Sequence, residues 1–184
     1  MMRKISLRLV AVTFGALMIG ADTPTQTIKQ GGVSFTVPTT WKSSKPGSSM
    51  RLAQFKLDPV KGDEDPAELV LFKFAGGGGS VKANLDRWQQ QFQDKDGSPP
   101  KITTDTRKGK NTDVTFAETS GRYVAAVTPG SPQKFDKSDW RLLGAIVQTQ
   151  DAGYFFKMVG PDKTMNAAKP AFEAMIKSIS LDKD

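Results

Sequence analysis

A glycine-rich corner links an apolar segment to a predicted helix, and corners of this kind hold phosphate groups in many proteins. Because the amides at a helix N-terminus attract anions, five residues are candidates for anion or small-ligand contact: Gly77, Gly78, Gly79, Ser80 and Lys82. The spacing matches neither a phosphate-binding loop nor a dinucleotide loop, since Lys82 is displaced and no hydroxyl residue follows it. The competing interpretation is a structural turn from the sheet edge onto its face.

The chain contains no histidine and no cysteine, which excludes several mechanisms. Thiol nucleophiles, imidazole bases and metal sites built from these two side chains cannot form. Carboxylates remain, but nothing in the sequence brings a pair of them into one cleft; the candidates are Asp113, Glu118, Asp139 and Glu173. The sequence therefore predicts no catalytic residue, no metal site and no cofactor.

Acidic residues are concentrated between two predicted strands, from Asp58 to Glu68. Carboxylates are ligands that calcium prefers, but their spacing here does not follow the EF-hand loop. We interpret the segment as a solvated acidic loop of a hairpin.

Arginine and aromatic residues are adjacent at several places in the chain. Neighbouring side chains in a strand point to opposite faces, which favours a buried ring beside a solvated arginine. The same residue types are also enriched in protein-binding surfaces. Trp140, Arg141 and Arg122 are therefore the candidate partner-binding residues, with the first two next to a Pro- and Ser-rich segment, residues 128–139, that we interpret as a loop.

Residues 1–21 have the layout of an export signal peptide. Arg3, Lys4 and Arg8 precede a 13-residue apolar segment that ends at Ala21, and no acidic residue is present. The segment is too short for a permanent membrane span, so we expect cleavage after Ala21 and a periplasmic or extracellular location. The chain has no cysteine near the junction, so a lipid anchor cannot be attached there. Cleavage would lower the net charge from +7 to +4, and without a nucleic-acid-binding motif we expect no nucleic-acid partner.

The rest of the sequence predicts a polar lead-in at residues 22–30 and a single domain at residues 31–184. A domain of this size can fold without disulfides. Alternation and apolar runs predict strands at residues 33–38, 51–57, 67–74 and 102–108, two strand pieces that meet near Ser120-Gly121, and a hairpin of residues 142–147 and 154–159. A helix capped by Ser80 is predicted from Val81, Leu85, Trp88 and Phe92, and a last helix is predicted to begin at or near Pro170.

Several predicted strands are apolar on both faces, which indicates a sheet that is covered on both sides. One predicted helix is available for each face. The sequence therefore predicts an α+β fold, a three-layer α/β/α sandwich with a mostly antiparallel sheet.

The pattern resembles the PsbP-like α/β/α sandwich superfamily. The resemblance rests on "VSFTVPTTW" near the start, Gly160 after the closing hairpin, a capped turn at Thr164, and a terminal helix with Phe172 and Ser178-Ile179. The glycine-rich corner is not part of that pattern. The resemblance implies an exported, bacterial, non-enzymatic accessory or binding domain, and it carries over no particular partner.

We therefore expect a monomeric, exported domain that binds a protein in the cell envelope or outside the cell. A pocket protein that holds a small or anionic ligand at the Gly76–Ser80 corner is an alternative, and a carboxylate-dependent hydrolase is another. A deep concavity at the corner would favour the pocket protein, and two close acids in a cleft would favour the hydrolase.

Overall fold

The computed structural model of the chain describes residues 23–48 and 50–182. The predicted export signal lies outside these residues. The strands are β1 (Thr25–Gln30), β2 (Val33–Pro38), β3 (Lys42–Ser43), β4 (Arg51–Leu57), β5 (Ala67–Ala75), β6 (Phe92–Gln93), β7 (Thr103–Lys108), β8 (Asp113–Tyr123), β9 (Lys137–Gln148), β10 (Ala152–Pro161) and β11 (Ser180–Leu181); the helices are α1 (Val81–Gln89) and α2 (Asp162–Ser178).

The strands form two antiparallel sheets. The larger sheet has the order β3-β4-β5-β10-β9-β8-β6, and β7 also pairs with β8. The smaller sheet has the order β1-β2-β11. Within the described part of the chain, neither helix combines the length and the apolar character needed to cross a membrane.

Each face of the larger sheet has its own hydrophobic core. In the first core, Phe156 of β10 packs with Phe35 of β2 and Phe172 of α2. The preceding residue, Phe155, belongs to the second core, together with Trp88 of α1. Adjacent residues of a strand point to opposite faces, so β10 contributes to both cores. This arrangement confirms the predicted α+β fold of three layers.

The predicted strands at residues 33–38 and 51–57 are confirmed as β2 and β4, and β5 extends one residue beyond its prediction. The closing hairpin is confirmed and is longer than predicted. Residues 113–123 form one strand, β8, and the break expected near Ser120-Gly121 is a register shift between Gly121 and Tyr123. The end of the predicted 128–139 loop already belongs to β9.

Residues 25–30 of the predicted polar lead-in form the strand β1, which the sequence does not predict. Gly31 and Gly32 have φ angles of 66° and 89°, and this left-handed pair closes a two-residue hairpin between β1 and β2. All six residues of β1 pair with β2. The segment lacks the apolar alternation of a half-buried strand because β1 is an edge strand with mostly exposed side chains.

The Ser80 cap of α1 is confirmed, since its hydroxyl accepts a hydrogen bond of 3.1 Å from the Ala83 amide. The helix ends at Gln89, before the predicted end. Phe92 is buried as expected, but it lies in β6 and packs against Tyr123 of β8. The apolar spacing therefore predicted the burial of Phe92 correctly and its secondary structure incorrectly.

The prediction that the last helix begins near Pro170 is wrong, because α2 is continuous from Asp162 to Ser178. A distant carboxylate caps its first turn: Asp63 Oδ2 accepts hydrogen bonds from the amide and the hydroxyl of Thr164, at 2.8 and 2.7 Å. Pro170 lies on the exposed side of the helix. There, water can satisfy the carbonyl one turn earlier that has lost its amide donor.

Candidate partner-binding groove

An open groove lies at the end of the larger sheet where β9 begins and β8 and β10 end. Its volume is about 1030 Å³, and five segments line it: residues 62–65, 93–95, 120–122, 138–141 and 161–163. Trp140, Arg141 and Arg122 are all among them. The register of the sheet brings these residues together, since Gly121 pairs with Trp140 and Ser120 pairs with Arg141.

Trp140 is one of the residues that line the groove, and its ring packs against the second core, on the α1 side of the sheet. Its ring stacks on Tyr123 with 5.3 Å between centroids and an angle of 9° between the planes. Tyr123 in turn packs against Phe92 and Phe135, with centroids at 5.1 and 5.4 Å. Phe135 belongs to the segment predicted as a loop, so this segment is anchored to the second core near the groove.

Arg122 presents its guanidinium at the rim. Its Nε and Nη2 donate to the two carboxylate oxygens of Asp136 at 2.5 and 2.6 Å. These hydrogen bonds raise the pKa of Arg122 and lower the pKa of Asp136. The pair is exposed, with 51% of the Arg122 side chain accessible, and it can rearrange to meet a partner at little energetic cost.

Arg141 joins the groove to an ion-pair network beneath it. Its Nε donates to Asp162 Oδ1 at 2.8 Å, and its Nη1 donates to Glu118. The second oxygen of Glu118 accepts from Lys169 Nζ at 2.6 Å. Burial raises the pKa of Glu118, but the hydrogen bonds and charges of Lys169 and Arg141 outweigh it, so the pKa lies below its ordinary value. Arg141 is thus held in place.

The groove is more acidic than the chain around it. Six carboxylates line it, Asp63, Glu64, Asp65, Asp94, Asp139 and Asp162, against the four cations Lys95, Arg122, Arg141 and Lys163. Among the described residues, Glu64, Asp94 and Asp139 have no ion-pair partner within 4 Å. Since the whole chain carries +7, the groove presents a local field of the opposite sign.

The acidic segment between β4 and β5 does more than the solvated loop we predicted. Asp63 caps α2, and Asp65 accepts a hydrogen bond of 2.7 Å from Lys137 Nζ. Both contacts join residues far apart in the chain, so no local pattern could have indicated them. They fix one wall of the groove.

The four acids considered for hydrolytic chemistry are separated. Asp113 pairs with Lys108, and Glu173 pairs with Arg107. Glu118 lies in the network with Lys169, and only Asp139 lines the groove. In the part of the chain that the structure describes, no group of three or more acidic residues is placed to hold a metal ion.

The glycine corner lies outside the groove, and its polar groups serve the turn. Gly76 to Gly79 all have positive φ angles between 67° and 92°. The buried Asn84 amide donates to the carbonyls of Gly78 and Ser80 at 3.1 and 2.9 Å. Lys82 Nζ donates to Asp86 at 2.6 Å, one turn along α1. Anion binding by Gly77, Gly78, Gly79, Ser80 and Lys82 stays a prediction.

Alanine at Gly78 is expected to destabilise the fold more than alanine at Gly77. Both positions have positive φ, but a Cβ at Gly78 would lie 2.9 Å from Phe74 Cβ, whereas at Gly77 it meets nothing within 4 Å. We expect Gly78→Ala to lower the free energy of unfolding by about 2–3 kcal/mol and Gly77→Ala by about 1 kcal/mol, measured by urea denaturation. Equal losses would contradict the packing role of Gly78.

Comparison with known proteins identifies the fold. No protein family and no curated protein matches the chain. Among solved structures, the solution structure of cyanobacterial PsbP (CyanoP) from Synechocystis matches with a TM-score of 0.54 at 13% identity, over 91% of this chain and 98% of that chain. The fold is PsbP-like. This confirms the resemblance predicted from the sequence, and at this identity the likeness concerns the fold alone.

A crystal structure of a protein from Bacteroides thetaiotaomicron also matches, with a TM-score of 0.49 at 13% identity. The match covers 83% of this chain and 46% of that chain, so this chain spans about half its length.

Proposed function

We propose that the chain is an exported, non-enzymatic binding or accessory domain that recognises a protein of the cell envelope or the extracellular space. The observation that carries the proposal is the groove, in which Trp140, Arg122 and Arg141 lie together at the end of the sheet. Tryptophan and arginine are among the residue types that most often carry binding energy in protein interfaces.

The chemistry of the groove favours binding over catalysis. The chain has neither histidine nor cysteine, and its groove carboxylates Asp63, Asp65 and Asp162 are engaged in hydrogen bonds or ion pairs with their own chain. The PsbP-like fold supports the same role. Export is supported by the basic and apolar pattern of residues 1–21, and the excess of carboxylates favours a partner surface with basic residues.

The test is affinity capture with the full chain, tagged at its C-terminus, from a native envelope extract. We expect a stoichiometric partner that survives moderate salt and whose capture falls at least tenfold with Trp140→Leu or Arg122→Ala, which corresponds to about 1.4 kcal/mol or more. Mass spectrometry identifies the partner, and titration calorimetry with that partner measures the loss.

Lys108→Ala is the matched control, because it removes an exposed ion pair, with Asp113, at the opposite end of β8. It should capture the partner like the wild type. Capture that is unchanged in both groove variants would reject the groove as the binding site. Capture lost equally in all three variants would point to a general effect on the fold, because Trp140→Leu changes no charge.

A further inference from the structure

Three cations are close together on the α1 side of the larger sheet, away from the groove. Arg51 lies on β4, Arg87 in the last turn of α1, and Lys157 on β10. Lys157 lies between Phe155 and Val159, which belong to the second core, so its side chain extends toward α1. One carboxylate, Glu68 of β5, lies among them, and the cluster has two positive charges in excess.

Lys157 has fewer acceptors than its ammonium can use. The described residues provide one hydrogen bond, to Gln91 Oε1, and the ring of Tyr123 with its centroid 5.7 Å from Nζ. An ammonium has three donors, and within the described ranges no carboxylate pairs with this one. Burial, followed by the charges of Arg87 and Arg51, lowers the pKa of Lys157 to about 8, against the opposing effect of Glu68.

The two arginines are also bonded largely to neutral groups. Arg87 donates to the side-chain oxygen of Asn84. Arg51 Nη1 donates to Gln54 Oε1 at 3.0 Å and reaches Glu68 only at 3.4 Å. Glu68 itself accepts a shorter hydrogen bond, of 2.6 Å, from Gln54. The cluster therefore keeps unused donors on cations from three different elements.

Three cations held together at a partly desolvated site repel one another and therefore oppose folding. The packing around them does not explain why the cluster is present. A bound anion would accept the unused donors and neutralise the excess charge. The site is open on one side, because Arg87 is exposed and the Arg51 side chain is 31% accessible. We propose that Lys157, Arg51 and Arg87 form a binding site for an oxyanion group, either a tetrahedral anion or a carboxylate. This goes beyond the groove function, since none of the three lines the groove.

The test is the thermal unfolding of the full chain in sodium phosphate, sulfate or acetate, each against sodium chloride at equal ionic strength. We expect at least one of these oxyanions to raise Tm by roughly 2–5 °C beyond chloride, with a saturating concentration dependence. The rise should disappear in Lys157→Met and shrink in Arg87→Gln, whose change lies on the surface and leaves the core intact. A response to phosphate or sulfate assigns a tetrahedral anion, and one to acetate alone assigns a carboxylate.

Lys73→Met is the matched control. Lys73 is also a strand lysine near an aromatic ring, with Nζ 5.4 Å from the Tyr154 centroid, but it contacts Gly31 on the other side of the sheet. This variant should keep the full response to the anion. Equal rises in wild type, Lys157→Met and Lys73→Met would show a general salt effect and overturn the proposal, as would no rise beyond chloride in the wild type. Neither result affects the groove function.

Discussion

Replacing Gly144 by alanine is expected to lower the free energy of unfolding by about 2–3 kcal/mol. Gly144 lies in the middle of β9, and a Cβ there would be 2.3 Å from Cζ3 and 2.9 Å from Cε3 of Trp88. The Trp88 ring, 3% exposed, packs against this glycine and attaches α1 to the sheet. Because the backbone conformation of Gly144 is ordinary for any residue, the loss would be steric.

A double-mutant cycle, measured by urea denaturation followed by circular dichroism, tests the contact between Trp88 and Gly144 directly. Trp88→Ala alone should cost about 3–5 kcal/mol, since it leaves a cavity in the second core. Adding Gly144→Ala to Trp88→Ala should cost much less than Gly144→Ala alone, because the methyl group enters the space that the ring has left. Gly47→Ala is the control, as its Cβ would meet nothing within 4 Å. Additive losses would show that the ring does not rest on Gly144.

The elements that the sequence predicted well are those whose burial is set by their own residues. β2 alternates Val33, Phe35 and Val37, all at most 1% exposed, and the closing hairpin is apolar on both faces. In these elements local pattern and tertiary environment agree. The two-sided burial of the central strands then implies the three layers.

The elements that were missed depend on residues distant in the chain. β1 is polar and forms because β2 offers it a hydrogen-bonding edge. The first two turns of α2 form because Asp63, about a hundred positions earlier, caps Thr164. Pro170 is the strongest local signal in that region and predicts a helix break. The helix continues through it because the proline lies on the exposed face.

The residues of the candidate sites also fall into two groups, those that the sequence could indicate and those that only the folded chain brings together. Trp140, Arg141 and Arg122 could be named from residue types, but their common location depends on the register of β8 with β9. Lys157 could not be singled out from the sequence, because a lysine within "YFFKMV" reads as a solvated position of a strand. Its partners come from β4, β5, α1 and the residues before β6, which only the folded chain brings together.

Replacing Glu118 by glutamine is expected to destabilise the protein by about 2–4 kcal/mol at neutral pH. The Glu118 side chain is 13% exposed and is the shared acceptor of Arg141 and Lys169, which are 20% and 34% exposed. Glutamine keeps the size but offers one acceptor oxygen and no charge, so Lys169 would lose the carboxylate that pairs with it and Arg141 would keep only Asp162. The expected loss is smaller than for a fully buried pair, because Lys169 retains contact with water.

The stability that the Glu118 carboxylate contributes depends on pH. The pKa of Glu118 in the folded protein lies below its ordinary value of 4.5. The carboxylate therefore contributes its stability in full above pH 4.5, and the contribution is lost as the pH falls through the folded pKa. The gap in unfolding free energy between wild type and Glu118→Gln should be constant from neutral pH to about pH 5 and should close in more acidic solution.

Asp113→Asn is the control for this prediction, since it removes an ion pair with Lys108 whose side chains are 61% and 80% exposed. It should change stability by less than about 0.5 kcal/mol across the same pH series. A gap for Glu118→Gln that is as small, or that does not narrow at all as the solution becomes more acidic, would mean that packing and not the ion pair holds β8, β9 and α2 together. If the gap behaves as expected, the network is what fixes Arg141 in the groove, and Glu118→Gln should weaken partner capture without touching the partner.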